Sequence, residues 1–122
     1  MKLHAARAPG RNVFTGYGQG FVTVNTERFE HSIIVIPEGP VLRWKLTNIG
    51  ALDDDAIREL AALKVEILLL GTGEQQRFPD MRSLQPLREA GTGIEAMDTY
   101  AACRTYNILL AEERNVAAAL IV

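Results

Sequence analysis

Three groups of residues in this sequence have types and spacings that could do chemistry. Cys103 is the single cysteine, and it falls one turn into a helix expected to begin at Asp98-Thr99, with Arg104 beside it. A helix N-terminus and a neighbouring guanidinium both favour the thiolate, the nucleophilic form of the residue. A nucleophile also needs a base, and His4 and His31 lie in the other half of the chain with no sequence reason to converge on it. Helical projection supplies the competing reading. Ala102, Tyr106, Leu109 and Leu110 define a buried stripe with Cys103 at its edge, where a small half-buried cysteine usually serves packing.

The second group is Gly71-Thr72-Gly73, directly after the most apolar run of the chain. In open α/β sheets, ligands gather at the carboxyl ends of parallel strands, where backbone N–H groups can meet an anion. The motif lacks the third glycine of a dinucleotide fingerprint and the Lys-Ser/Thr ending of a P-loop. A tight turn at the strand exit is therefore the plainer reading, and a small-ligand or anion site the alternative. The third group is the carboxylates. Asp53, Asp54, Asp55 and Asp98 sit where helices should start, and a capping role explains them better than acid–base work. Glu66 and Glu95 fall inside strands, where an outward or edge position accounts for them. With one cysteine and no clustered histidines, metal sites are not expected, and nothing in the text implies a cofactor.

The elements that must position these residues differ between the two halves. From Gly16 to about Trp44 the pattern is β: Phe21–Val24 is one strand, Asn25–Arg28 a turn, Phe29–Ile36 a second strand closed by Pro37, and Val41–Trp44 a third extended piece. Their short connections make them antiparallel neighbours. Gly16, Gly18 and Gly20 punctuate the approach, and residues 1–15 are expected to form a flexible arm. Trp44 is expected to close one end of the sheet. Asp53 should cap a helix whose apolar stripe is Ile57, Leu60, Ala61 and Leu63, with Leu52 and Ile57 placed as a hydrophobic staple.

From Val65 to Leu70 a nearly unbroken apolar run reads as a central strand buried on both faces. Ser83 is expected to cap a short helix through Ala90, then Ile94–Met97 to form a strand, Tyr100 to Glu113 a longer helix, and Val116 to Val122 the last strand. Strands alternating with helices at this spacing argue for parallel pairing with right-handed crossovers. The fold class is thus α/β: one compact domain over residues 1–122, with a central mixed, partly parallel sheet flanked by helices and an N-terminal antiparallel portion.

Composition agrees with one domain. A chain of 122 residues with 48% hydrophobic content can build its own core, burying roughly two-thirds of its unfolded surface. The net charge of −2 splits into +3 before residue 27 and −5 after it. That balance gives no general reason to expect nucleic acid as a partner. The acid-free, Arg-bearing start is a faint transit-peptide feature. No apolar run is long enough to cross a bilayer, so stable membrane insertion is not expected and the default compartment is the cytoplasm.

The stretch Gly93-Ile94-Glu95-Ala96-Met97-Asp98-Thr99-Tyr100-Ala101-Ala102-Cys103-Arg104-Thr105-Tyr106-Asn107, together with Leu68–Gly73, resembles a family of small uncharacterised α/β domains. That family includes the mitochondrial respiratory complex I assembly factor 3 and an adipogenesis-associated protein. The Gly16–Val24 approach and the Trp44 region fit as well, so the resemblance covers nearly the whole chain. It implies a mixed sheet with helices around it, no established enzymatic activity, and a role in assembling or binding other proteins. It draws attention to Gly71, Gly73, Asp98, Thr99, Cys103, Arg104 and Asn107. The short N-terminus departs from the mitochondrial members, so the chain is similar to the bacterial ones. The reading that follows is a non-enzymatic interaction module, monomeric or weakly self-associating. Its partner would be another protein, and its site would include Gly71, Thr72, Gly73, Asp98, Thr99, Arg104 and Asn107. The alternatives are small-molecule or anion binding, or a thiol enzyme using Cys103.

Overall fold

The computed structural model describes residues 10–122. Of the arm expected over residues 1–15, residues 1–9 lie outside those described, and the rest is already part of the fold. The Asn12 side-chain amide donates to the carbonyls of Ile36 and Gly39 at 2.9 and 2.8 Å. Two residues later β1 (Phe14–Gly18) begins, with Phe14 fully buried. β1 pairs antiparallel with β2 (Phe21–Val24), and β2 with β3 (Glu27–Phe29). Gly18 pairs with Phe21 at the end of β1, and a Cβ there would stand 2.4 Å from the Phe21 ring.

The strand expected over Phe29–Ile36 is two strands. The chain leaves the first sheet at Glu30-His31-Ser32, and β4 (Ile33–Val35) joins a second one. All three residues of β4 are buried, so they need a sheet covered on both faces. Ser32 marks the crossing: its carbonyl accepts from the Trp44 N–H at 2.9 Å and its hydroxyl from the Val122 N–H at 3.3 Å. β5 (Leu42–Arg43) then pairs antiparallel with β4.

α1 (Asp54–Ala61) starts as the sequence implies, with the Asp53 carboxylate accepting from the Ala56 N–H at 2.8 Å. β6 (Ile67–Gly71), β7 (Gly93–Met97) and β8 (Val116–Leu120) are the parallel strands, linked by α2 (Gln85–Glu89) and α3 (Thr99–Ala111). The Ser83 cap does not form. α2 starts after Leu84 with no side-chain cap, Pro86 lies in its first turn, and the Ser83 hydroxyl donates to the Asp80 carbonyl at 2.7 Å. α3 ends on Glu113 in the left-handed region (φ 59°), with Arg114 and Glu113 N–H groups donating to Leu109 and Leu110. This is the paired hydrogen-bond pattern that closes many helices.

The second sheet has the order β5-β4-β8-β6-β7 and is mixed, because β4 runs antiparallel to β8. It separates two apolar layers. Leu68, Leu70, Ala117 and Ala119 face one layer, which holds Trp44, Ile57, Leu60, Leu84 and Leu87. Leu69, Ala118 and Leu120 face the other, with Phe14, Val22, Cys103, Tyr106 and Leu110. Alternation along each strand sends successive side chains to opposite faces. Both faces are apolar here, so the strand sequences read as unbroken apolar runs.

Candidate functional site

Parallel β6, β7 and β8 end together, and the chain exits of β6 and β7 meet at the start of α3. Thr99 makes the junction. Its hydroxyl donates to the Ile121 carbonyl at 2.6 Å and accepts from the Gly73 N–H at 2.9 Å, while its own N–H donates to the Gly73 carbonyl at 2.8 Å. Gly71 must be glycine because a Cβ would lie 2.6 Å from a Leu120 methyl and 3.1 Å from the Thr99 Cα. Gly73 has φ +101°, a conformation that favours glycine. Asp98 caps α3, accepting from the Ala101 N–H at 2.9 Å. The expected gathering of Gly71, Thr72, Gly73, Asp98 and Thr99 at one sheet edge is therefore observed.

Thr72 is buried at 5% exposure and organises the loop that follows. Its hydroxyl lies 2.7 Å from the Gln75 carbonyl and accepts from the Arg77 N–H at 3.0 Å. Gln76 reaches across to the Ala96 carbonyl at 3.1 Å. Two clefts open on either side of Gly73 and Glu74. The smaller, about 260 Å³, runs from Gly20 and Phe21 to Tyr100. The larger, about 750 Å³, is walled by Asn48, Gly50, Gln75, Arg77 and Phe78.

The electrostatics of the smaller cleft oppose an anion. Among the described residues no cation lines it, and Glu74 does. The Tyr100 phenol on its wall is pushed above its ordinary pKa, first by burial and then by the Glu74 and Asp98 carboxylates. Arg104, which would supply positive charge, points elsewhere. It donates to the Tyr17 hydroxyl at 2.6 Å, and Tyr17 stacks on Tyr100 with ring centroids 4.7 Å apart. Asn107 is also a framework residue. Its side chain accepts from the Phe14 N–H at 2.9 Å and donates to the Phe14 carbonyl at 2.8 Å, fastening β1 to α3.

Cys103 does not sit at the edge of the stripe. It is fully buried among Phe14, Tyr106 and Leu110. Burial drives its thiol up to about 12, and the opposing pull of Arg104 is the smaller effect. Enclosed in this way, the thiol packs as an apolar side chain and is protonated at neutral pH. Among the described residues no group of His, Cys, Asp and Glu is placed to hold a metal ion. Trp44 is buried as expected, and its indole N–H has no hydrogen-bond partner among the described residues.

Phe78 and Met81, not singled out by the sequence patterns, are 77% and 57% exposed in the connection between β6 and α2. They follow a strand exit, and neither has the periodicity of an element. An aromatic and a methionine flanking Pro79-Asp80 in a polar loop were the available signal.

Comparison with known proteins bears on the same regions. A family model described as a protein of unknown function (DUF498/DUF598) matches residues 14–121. The 13 kDa major membrane protein of Francisella tularensis is 31% identical over 99% of each chain. No helix among the described residues is long and apolar enough to cross a membrane. The NADH dehydrogenase (ubiquinone) 1 alpha subcomplex assembly factor 3 of Xenopus tropicalis is 35% identical over 84% of this chain, which spans 56% of that protein's length. The crystal structure of a Bordetella parapertussis protein superposes with a TM-score of 0.87 at 43% identity, covering 93% of this chain and 98% of that one.

Proposed function

The chain belongs to the DUF498/DUF598 family of proteins of unknown function, and we propose that it is a non-enzymatic module that docks another protein, as an assembly factor does. The name of its frog relative supports this reading. So does the burial of Cys103, the one side chain the sequence offered as a nucleophile.

The observation that carries the reading is the connection over residues 72–84. Strand-to-helix connections commonly take about 2–6 residues. This longer one is held in place by the Thr72 hydroxyl and the Gln76 amide, and it holds Phe78 and Met81 out in water. Covering such side chains on a partner would contribute roughly 1.5–3 kcal/mol each before ordering costs. The docking surface would comprise Gly73, Glu74, Phe78, Met81 and the Asp98 end of α3. A small-ligand site in the cleft beside Tyr100 is the weaker alternative, because among the described residues that cleft offers a carboxylate and no cation.

Capture from a native lysate tests the proposal, with the wild type beside a Phe78→Ser/Met81→Ser variant and Arg104→Glu. The double variant should lose partners that Arg104→Glu retains, while keeping its thermal midpoint. A partner set identical in all three, or none in any, would sink the docking assignment.

A further inference from the structure

We propose that the open edge of the five-stranded sheet accepts an extended segment of a protein partner as a sixth strand, with an apolar side chain of that segment in the groove beside Phe78 and Met81. The inference rests on the docking reading above and narrows it to a contact made largely by backbone.

β7 ends the strand order, with β6 on one side and, among the described residues, no strand on the other. The Gly93 N–H donates to the Glu66 carbonyl, and the Met97 carbonyl accepts from the Thr72 N–H. Those two bonds fix Gly93, Glu95 and Met97 as the residues whose backbone faces β6, and Ile94 and Ala96 as those facing outward. The Ala96 carbonyl is met by Gln76. The Ile94 N–H and carbonyl and the Ala96 N–H take no hydrogen bond among the described residues. An unpaired edge of this kind is a template for another extended chain.

A groove of about 350 Å³ runs along the same edge, walled by Phe78, Met81, Leu84, Arg88, Ile94 and Ala96. An added strand would send alternate side chains into it, on the face shared by Ile94 and Ala96. The charges state what the strand should carry. Arg88 has no carboxylate within 4 Å among the described residues, and its guanidinium reaches only the Met81 sulfur, at 3.5 Å. Glu95 projects from the opposite face of β7. The fitting segment therefore places a large apolar residue and an acid on the groove side and no acid opposite Glu95. Self-pairing centred on Glu95 would set two carboxylates face to face, which is destabilising. That disfavours a second copy of this chain as the occupant.

Panning a random peptide library against the full chain tests the proposal, with the selected peptides mapped by amide shifts and hydrogen exchange. The expected peptides alternate in polarity, carry an apolar residue and an acid on one face, and perturb Ile94–Ala96 and Phe78–Met81. They slow exchange of the Ile94 and Ala96 amides. Ala96→Pro removes only an outward donor on an edge strand and should weaken binding about tenfold, the upper end for one hydrogen bond. Arg88→Glu, an exposed change that leaves the edge intact, should turn the preference from acidic to basic peptides. Peptides that perturb Gly73, Glu74 and the start of α3 instead would overturn the edge assignment and leave docking standing. Failure to select any peptide, or edge shifts that follow protein concentration alone, also overturns it. An unchanged lysate partner set as well would end both.

Discussion

Replacing Thr99 by Val tests whether the sheet edge is built as described. The side chains are nearly equal in volume and equally branched, so the change removes a hydroxyl and little else. That hydroxyl serves two backbone groups, the Ile121 carbonyl at 2.6 Å and the Gly73 N–H at 2.9 Å, from a residue only 2% exposed. A buried polar group left unpaired costs about 1–3 kcal/mol. Ile121 is buried, so its carbonyl should approach the upper figure; Gly73 is half-exposed and can recruit water, so its share is smaller. Together they give a loss of about 2–4 kcal/mol. For a domain of this length that lowers the thermal midpoint by roughly 6–16 °C. Urea unfolding followed by circular dichroism measures it, with Thr99→Ser as the control that keeps the hydroxyl and loses one methyl. Ser should stay within about 1 kcal/mol of wild type. If Val matched wild type, or fell no further than Ser, Thr99 would not be the clamp between the strand-exit loop and α3.

The other expectations concern neighbouring residues. Gly71→Ala should destabilise by about 1–3 kcal/mol in the same assay, because the new Cβ meets the Thr99 backbone 3.1 Å away as well as a movable Leu120 methyl. Asn107→Ala should cost about 2–3 kcal/mol by leaving both Phe14 backbone groups unpaired, and amide exchange should quicken in β1 before β6. Cys103 sets a pH dependence. Its thiol holds the proton to about 12 when folded against an ordinary 9.0, so the stability it contributes is complete below pH 9 and is lost as pH rises from there towards 12. Between those limits wild type should lose about 1.4 kcal/mol per pH unit relative to Cys103→Ala. That comparison cancels Tyr106, and Tyr100 apart from the part of its shift that Cys103 itself causes, both phenols being raised as well; a flat difference would refute the enclosed thiol.

The legible parts of the fold were those written in local spacing. The Asp53 and Asp98 caps, the apolar run ending at Gly71 and the strand–helix alternation after it each lie within one turn or one strand of their signal. β1 was hidden because Phe14-Thr15-Gly16-Tyr17-Gly18 contains two glycines, which locally read as breaks. What makes it a strand is Asn107, far along the chain, and the Phe21 ring packed over Gly18. The split at Glu30–Ser32 was hidden for a similar reason. Ile33–Val35 are as β-prone as the residues before them, and only the second, two-sided sheet decides where they pair. The gathering of the glycine loop with Asp98 and Thr99 followed from parallel topology. The burial of Cys103 did not, because β1, unrecognised, covers that face of α3.

These bonds change what the resemblance over residues 93–107 can mean. Asp98 holds a helix start, Thr99 a loop and a strand end, Arg104 a tyrosine, and Asn107 a strand from the far end of the chain. Each has its hydrogen-bonding side chain turned inward or along the surface, already engaged by this chain. A partner could claim the Thr99 and Asn107 groups only by breaking a bond that the fold uses, and that loss would offset much of what the new bond contributes. Residues that match the family motif therefore carry bonds of the architecture, and the docking proposed above would fall first to groups the fold leaves unengaged. On this edge of the molecule those are Phe78 and Met81 and the outward amides of Ile94 and Ala96. Their position beside the motif follows from topology, since the loop that carries Phe78 leaves β6 at the same strand ends where α3 begins.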